Sequence, residues 1–358
     1  MNDKQVQKAA TGSVAIQAQR DAIYNQGISP GQMIEIMDAI SRQVQTFSAT
    51  AKDLIDERLD EFKSTVLEKI ATDAPQGAKA FADPDFQHAL LQAQTAYARS
   101  DASELHSVLI DLVVQRSKQE RRNRLTLTLN DAIVKAASLT LEEFSLLSFA
   151  FIFQRVVNVG VANLEGIARH LARFLGPLIP HVPRDETAFT YLETHGCIIG
   201  GIGGIIVRPS AMEIVKHSYP GIATKGVAEP DMQVLVAPGA HLGLNNLVQE
   251  SPFSSPSDTS YKVFTPGSEY ALNLIQNQLG IVPNLTSSYL EKAKANQPSD
   301  EELLAKLEAY EPCLRDAAKL YNETSLRNAR LTPVGIALAH AHLTKSAELA
   351  ADLSIWIK

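Results

Sequence analysis

Residues 29–70 read SPGQMIEIMDAISRQVQTFSATAKDLIDERLDEFKSTVLEKI, and the reading of this stretch decides the fold. Ser29 suits an N-cap, Pro30 the first helical position, and Gln32 completes a Ser-x-x-Gln capping box. Apolar residues then fall at Met33, Met37, Ile40, Val44, Phe47, Ala51, Ile55, Leu59, Phe62, Val66 and Ile70. As far as Phe47 the steps of four and three alternate, the pattern of a coiled-coil seam. Around Ala51 and Ile55 steps of four run together, a stutter that locally unwinds a supercoil. At ~1.5 Å per residue the helix is on the order of 60 Å long, too long for one compact domain to cover its seam. Charged residues from Asp53 to Lys69 supply the solvated faces. The seam can pack on sister copies or fold back, antiparallel, on a later helix of the same chain. Heptads sustained this long favour self-association.

Outward from the helix, the preceding leader alternates. Val14, Ile16 and Ala18 lie on one side of a period-two run and Ser13, Ala15, Gln17 and Gln19 on the other, before Arg20-Asp21 interrupts. A lone hairpin of this size is marginal in water. Identical leaders gathered at the mouth of a coiled coil would supply the missing strands. The expected oligomerisation residues are therefore Val14, Ile16, Met33, Met37, Ile40, Val44, Phe47, Ile55, Leu59 and Phe62.

The 358 residues allow two or three packed regions. Net charge is −7, so global electrostatics give nucleic-acid binding no support. Cys197 and Cys313 are too far apart to suggest a disulfide framework or zinc site, and a reducing cytoplasm fits. The amino terminus has no apolar run of the secretory kind. The most apolar window, Leu146 to Val161, is interrupted by Gln154, Arg155 and Asn158 and falls short of the ~20 residues of a membrane span. It reads instead as a buried central helix.

After Asp73–Gly77 ends the long helix, further helices are expected at 84–98, from an Asp101/Glu104 capping box, over 127–139, from Thr140/Glu143, from Asn163, and over 185–194. The second of these runs out into Arg116, Lys118, Arg121, Arg122 and Arg124. Such a run can contact phosphate. It can equally be a solvated helix end whose cations complement the macrodipole, and the absence of interleaved aromatics favours the latter. His170, beside Arg169 and Arg173, reads as a surface residue.

Residues 195–207, HGCIIGGIGGIIV, suggest two short strands and a tight turn. A phosphate loop is excluded: no Gly-Lys-Ser/Thr follows and the G-x-G-x-x-G spacing is absent. His195 and Cys197 fall on one face of that alternation, too little for a catalytic or metal pair, and a buried structural thiol is expected. Residues 219–260, punctuated by nine prolines and glycines, read as a long irregular segment. Helices follow from Thr265-Pro266, over 286–295, from Ser299/Glu302, after Pro312, and from Thr332-Pro333.

The leader Gly12-Ser13-Val14-Ala15-Ile16-Gln17-Ala18-Gln19-Arg20-Asp21 resembles short repeats found ahead of effector modules in bacterial conflict systems. Through Leu192-x-x-x-Gly196-Cys197, Leu331-Thr332-Pro333-x-Gly335 and Asp352-Leu353-Ser354-Ile355-Trp356-Ile357, the body resembles a family of uncharacterised bacterial proteins. Its tail is similar to abortive-infection alpha proteins, which share the Leu-Thr-x-x-Gly helix start. These resemblances imply a role in anti-phage defence and lend no catalytic residues. The same helix start follows the wing of winged-helix DNA-binding domains, with Arg327 and Arg330 ahead of it here; a well-capped helix accounts for it as well.

The expected fold is mainly α: a β leader over 1–28, a coiled-coil helix over 29–75, a helical bundle over 76–183, and an α+β region over 184–358 that holds the irregular segment 219–260. The expected function is a non-enzymatic homo-oligomeric scaffold or sensor in the cytoplasm, without cofactor, metal or membrane span. Its partners would be other copies of the chain and a protein or phage component. The alternative is a nucleic-acid-binding regulator using the basic helix ends; a hydrolase built on His195 and Cys197 stands third.

Overall fold

The structure, a computed structural model, describes residues 30–200, 208–255, 259–280, 284–346, 349 and 351–358, with side chains from Thr50 onward. It divides into two units, Met1–Asp56 and Glu57–Lys358. The leader, with Val14 and Ile16, lies outside the described residues, as do the side chains of Met33, Met37, Ile40, Val44 and Phe47.

The protein is mainly helical. α1 (Pro30–Asp73) stops where Pro75 forces a 3₁₀ turn. α2 (Pro84–Arg99) is capped by Asp83, with Pro84 in the first helical position. α3 (Ser103–Ser117) and α4 (Arg124–Ala136) follow, then α5 (Leu141–Arg155), which starts from the Thr140/Glu143 capping box. α6 (Leu164–Leu175) is capped by Asn163 and α7 (Glu186–Thr194) by Asp185. After β1 (Ile198–Ile199) comes α8 (Ala211–Ser218), held by a Ser210/Glu213 capping box. The chain continues through β2 (Val227–Ala228), α9 (Glu229–Val236), β3 (Val248–Glu250), β4 (Tyr261–Phe264), α10 (Glu269–Leu279) and α11 (Leu285–Ala295). It closes with α12 (Asp300–Tyr310), α13 (Cys313–Glu323), β5 (Arg330–Leu331) and α14 (Pro333–Ser346). Among the described residues no helix is long and apolar enough to cross a membrane.

Three expected starts move. α4 begins at Arg124, capped by Asn123, and not at Leu127. α3 begins after Ala102 with no side-chain cap, because the Ser100 hydroxyl rather than Asp101 takes up a backbone N–H there, that of Ala102, at 3.1 Å. α10 begins at Ser268, whose hydroxyl accepts from Ala271 N at 3.2 Å, and not at Thr265.

At the centre of the larger unit lies α5, buried from Glu143 to Phe153 as its all-round apolarity requires. α14 packs against α3, α4 and α5, buried from Gly335 to Leu343, with Ala337, Ala339 and Ala341 permitting close approach. The lower seam of α1 joins this core. Phe62, Val66 and Ile70 are buried, and the Phe62 ring meets Tyr97 of α2 edge-on at 5.1 Å. Phe62 is thus spent on its own chain, correcting its assignment to a face between copies: an aromatic of α2 already covers it. Leu59 is half-buried, and Ile55 stays 38% exposed.

The three motifs quoted for the resemblance form one structural knot. β1 pairs antiparallel with β5, Ile198 opposite Leu331. The Thr332 hydroxyl caps α14 by accepting from Gly335 N at 3.1 Å and donates to Gly196 O at 2.7 Å. A Cβ on Gly335 would lie 2.0 Å from the Cys197 carbonyl oxygen, so only glycine fits. Trp356 donates from Nε1 to Arg155 O at 2.9 Å and packs edge-on against Phe151. The second strand expected near 201–207 lies outside the described residues.

The stretch 219–260 is not the irregular segment expected. It contributes β2, α9, two 3₁₀ turns and β3 to a satellite whose sheet runs β2-β4-β3, over a second core of Val227, Met232, Phe264, Leu272 and Tyr289. Its prolines and glycines sit at element ends: Pro230 in the first turn of α9, Pro238 in a 3₁₀ turn, Gly226 and Gly243 at positive φ.

Candidate functional site

Segments remote in sequence converge on an open cleft of about 870 Å³. The end of α5 brings Phe153 and Arg155, the entry to α8 brings Arg208, α8 itself Glu213, Lys216 and His217, α13 Tyr321, and β5 Arg330. α5 can be apolar to its last turn and still deliver Arg155, because the helix leaves the core there. Trp356 holds that turn by its bond to the Arg155 carbonyl.

The walls are braced by hydrogen bonds that spare the guanidiniums. Arg327 Nε donates to Arg208 O at 2.7 Å and fixes the backbone of the entry strand. Asn322 accepts from Ala211 N at 2.9 Å, tying α8 to α13. Lys216 Nζ pairs with Asp300 Oδ1 at 2.7 Å, and the Ser210 hydroxyl donates to the same carboxylate. Burial works to raise the Asp300 carboxyl, but the hydrogen bonds from Lys216 and Ser210 and the charges of Lys216 and Arg327 outweigh it and hold it below its ordinary range. Glu213 is occupied by the α8 capping box, accepting from Ser210 N at 2.6 Å.

What remains unmatched is positive. Among the described residues Arg155, Arg208 and Arg330 enter no ion pair. Between them lies Tyr321, 2% exposed, its ring 4.8 Å from that of Phe153. Its hydroxyl bonds to no described residue. Burial raises the phenol, and the nearby charges of Arg208 and Arg327 pull the other way. Three guanidiniums and a tyrosine hydroxyl thus line one cleft without an ion pair among the described residues, groups whose chemistry suits hydrogen bonding to anions.

The residues expected from sequence to touch phosphate do not come together. Arg116 is buried, 1% exposed, with Nη2 on Asp83 at 3.1 Å and Asp85 at 2.9 Å, Nε on Asn130 at 2.9 Å, and its guanidinium over the Phe86 ring. It neither faces water nor is free for phosphate, because the two carboxylates that start α2 neutralise it. Hydrogen bonding to Asn130 and Arg116 holds the Asp85 carboxyl low. Lys118 is half-buried, Arg121 and Arg122 are exposed, and Arg124 donates to Lys358 O at 3.0 Å. His195 and Cys197 form no side-chain pair: the Cys197 thiol donates to the His195 carbonyl at 3.9 Å, not to the imidazole. His195 closes α7 with a ring nitrogen 3.0 Å from Tyr191 O, while Cys197 is fully buried and its thiol is pushed up to about 11 by burial. His170 is not the surface residue expected: it is half-buried, its Nε2 lacks a partner among the described residues, and burial pushes the imidazole down to about 4.

A second cavity, about 330 Å³, is lined by His342, whose Nδ1 lies 2.8 Å from the Oγ of Ser148, a residue outside the lining. Ser148 is fully buried, and burial holds His342 neutral, down to about 4. Among the described residues no group of three or more His, Cys, Asp and Glu could hold a metal ion.

The cleft arginines escaped the sequence reading because they are scattered over half the chain: Arg155 in the last turn of α5, Arg208 ahead of α8 and Arg330 in β5. Arg155 did show as a charge breaking the most apolar window, and Arg330 as a charge ahead of the Leu-Thr-Pro start.

The family model described as ":-like" matches residues 27–357. The chain belongs to that family. The match takes in α1 and every element that builds the cleft. No curated protein and no solved structure matches the chain.

Proposed function

We propose that the protein is a non-enzymatic, self-associating sensor or scaffold that takes an anionic small molecule into the cleft between α5, α8, α13 and β5. The observation that carries this reading is the set of three unpaired guanidiniums around Tyr321, in a chain whose net charge is −7. Guanidiniums bind anions and exchange no protons near neutral pH, which suits recognition better than acid–base chemistry. Self-association is supported by the heptads of residues 33–47 and by the exposure of Ile55 in the same helix. The likeness of leader and tail to conflict-system and abortive-infection proteins supports anti-phage defence as the setting.

Two measurements on the full chain test this. Solution mass is expected to exceed that of one chain and to fall to it in a Val44→Asp, Ile55→Asp variant; a parent of monomer mass overturns the assembly. Calorimetric titration with pyrophosphate is expected to give saturable binding that weakens with salt; no heat at any salt concentration overturns the anion receptor.

A further inference from the structure

The geometry points to a more specific occupant: we infer that the cleft takes a small organic phosphate carried on a flat ring, of the nucleoside monophosphate class. This rests on the reading of the cleft as an anion receptor. Inorganic anions are too small for about 870 Å³, whereas cavities of ~300–1,000 Å³ suit ligands of drug or cofactor size. A phosphate monoester carries about −1.5 to −2 charges at neutral pH, enough to engage more than one guanidinium. A monocarboxylate would leave the remaining arginines uncompensated.

The rest of the lining fits a ring. Phe153 and Tyr321 form an aromatic floor, and Val157, 47% exposed, stands at the rim. Planar π systems stack on guanidinium planes, three of which line the cleft beside these two largely buried rings. The Tyr321 hydroxyl, on a side chain 2% exposed and without a bonding partner among the described residues, is a ready donor to a phosphoryl or ribose oxygen. Gln297 in the wall carries an amide that can donate and accept together, as a base edge requires.

The test titrates the full chain with AMP, GMP and phenyl phosphate against ribose 5-phosphate, inorganic phosphate, citrate and adenosine. Calorimetry gives the affinities, and the fluorescence of Trp356, the one tryptophan, reports on the Arg155 turn. Ring-bearing monophosphates are expected to bind about tenfold or more tighter than ring-free phosphates, citrate or the phosphate-free nucleoside. Arg208→Met is expected to cost about tenfold in affinity, and Tyr321→Phe a few-fold. Arg121→Met, outside the cleft, should leave binding unchanged. Thermal midpoints check that each variant folds, with Arg330→Met standing in if Arg208→Met does not. Equal affinity for citrate, ribose 5-phosphate and AMP overturns this inference and leaves the anion receptor standing. Binding of adenosine as tight as AMP overturns it as well. No binding by any of the set removes both.

Discussion

Arg116 and Arg208 are one residue type in opposite circumstances. The first is sealed in the core, with each guanidinium nitrogen met by Asp83, Asp85, Asn130 or Gln119. The second lines an open cleft with Arg155 and Arg330, and none of the three enters an ion pair among the described residues. A run of basic residues drew attention to Arg116 from sequence, and isolation hid Arg208. The difference teaches that partners, more than local charge density, separate a structural cation from a receptor. An arginine whose carboxylates are supplied by its own fold has no charge left for a ligand.

Breaking the paired side should have the largest effect. Arg116→Met strands Asp83 and Asp85 and Asn130 over the α2–α4 contact. Because both carboxylates are about 40% exposed, the loss is expected below the ~3–5 kcal/mol of a fully buried pair, at about 2–3 kcal/mol by denaturant unfolding.

A buried carboxyl with incomplete partners sharpens the contrast. Burial pushes the Asp111 carboxyl up to about 7, against the pull of Lys69 and Lys118, and its Oδ2 meets no partner among the described residues. A carboxyl raised in the folded state keeps its proton while the unfolded chain loses it. Stability contributed by this group therefore falls as pH rises from about 4 to 7. Asp111→Asn should remove that fall, gaining on the parent by at most about 1.4 kcal/mol per pH unit in this window and levelling off above it. Parallel stability–pH curves for parent and variant would contradict the assignment.

On the unpaired side the effect on stability should be smallest. Arg208→Met is expected to shift unfolding by no more than about 0.5 kcal/mol, since it breaks no ion pair. A large loss would make Arg208 a structural residue like Arg116.

How much of this was legible in sequence depends on the range of the interaction. α5 announced itself through an apolar run from Leu146 to Phe153 broken only by Ser148 and through the Thr140/Glu143 box, and α12 through the Ser299/Glu302 box of the same three-residue spacing; the boxes are contacts within one turn. The satellite did not. Its strands are two to four residues long, and Pro230, Pro238 and Gly243 read as interruptions although they start or end elements. β1 looked like half of a local hairpin because its partner, β5, lies far along the chain. The seam of α1 was legible as a seam, but the covering of Phe62 by Tyr97 needed α2 in place. The cleft was least legible of all: its charges gain meaning only once α5, α8, α13 and β5 converge.

Under the proposed function, unpaired cleft arginines, not the basic turn after α3, receive the anion. Calorimetric titration with pyrophosphate of two triple variants tests it directly: Arg155→Met, Arg208→Met, Arg330→Met against Arg121→Met, Arg122→Met, Arg124→Met. Binding is expected to be abolished in the first and retained in the second; retention in the first with loss in the second would overturn the assignment of the cleft.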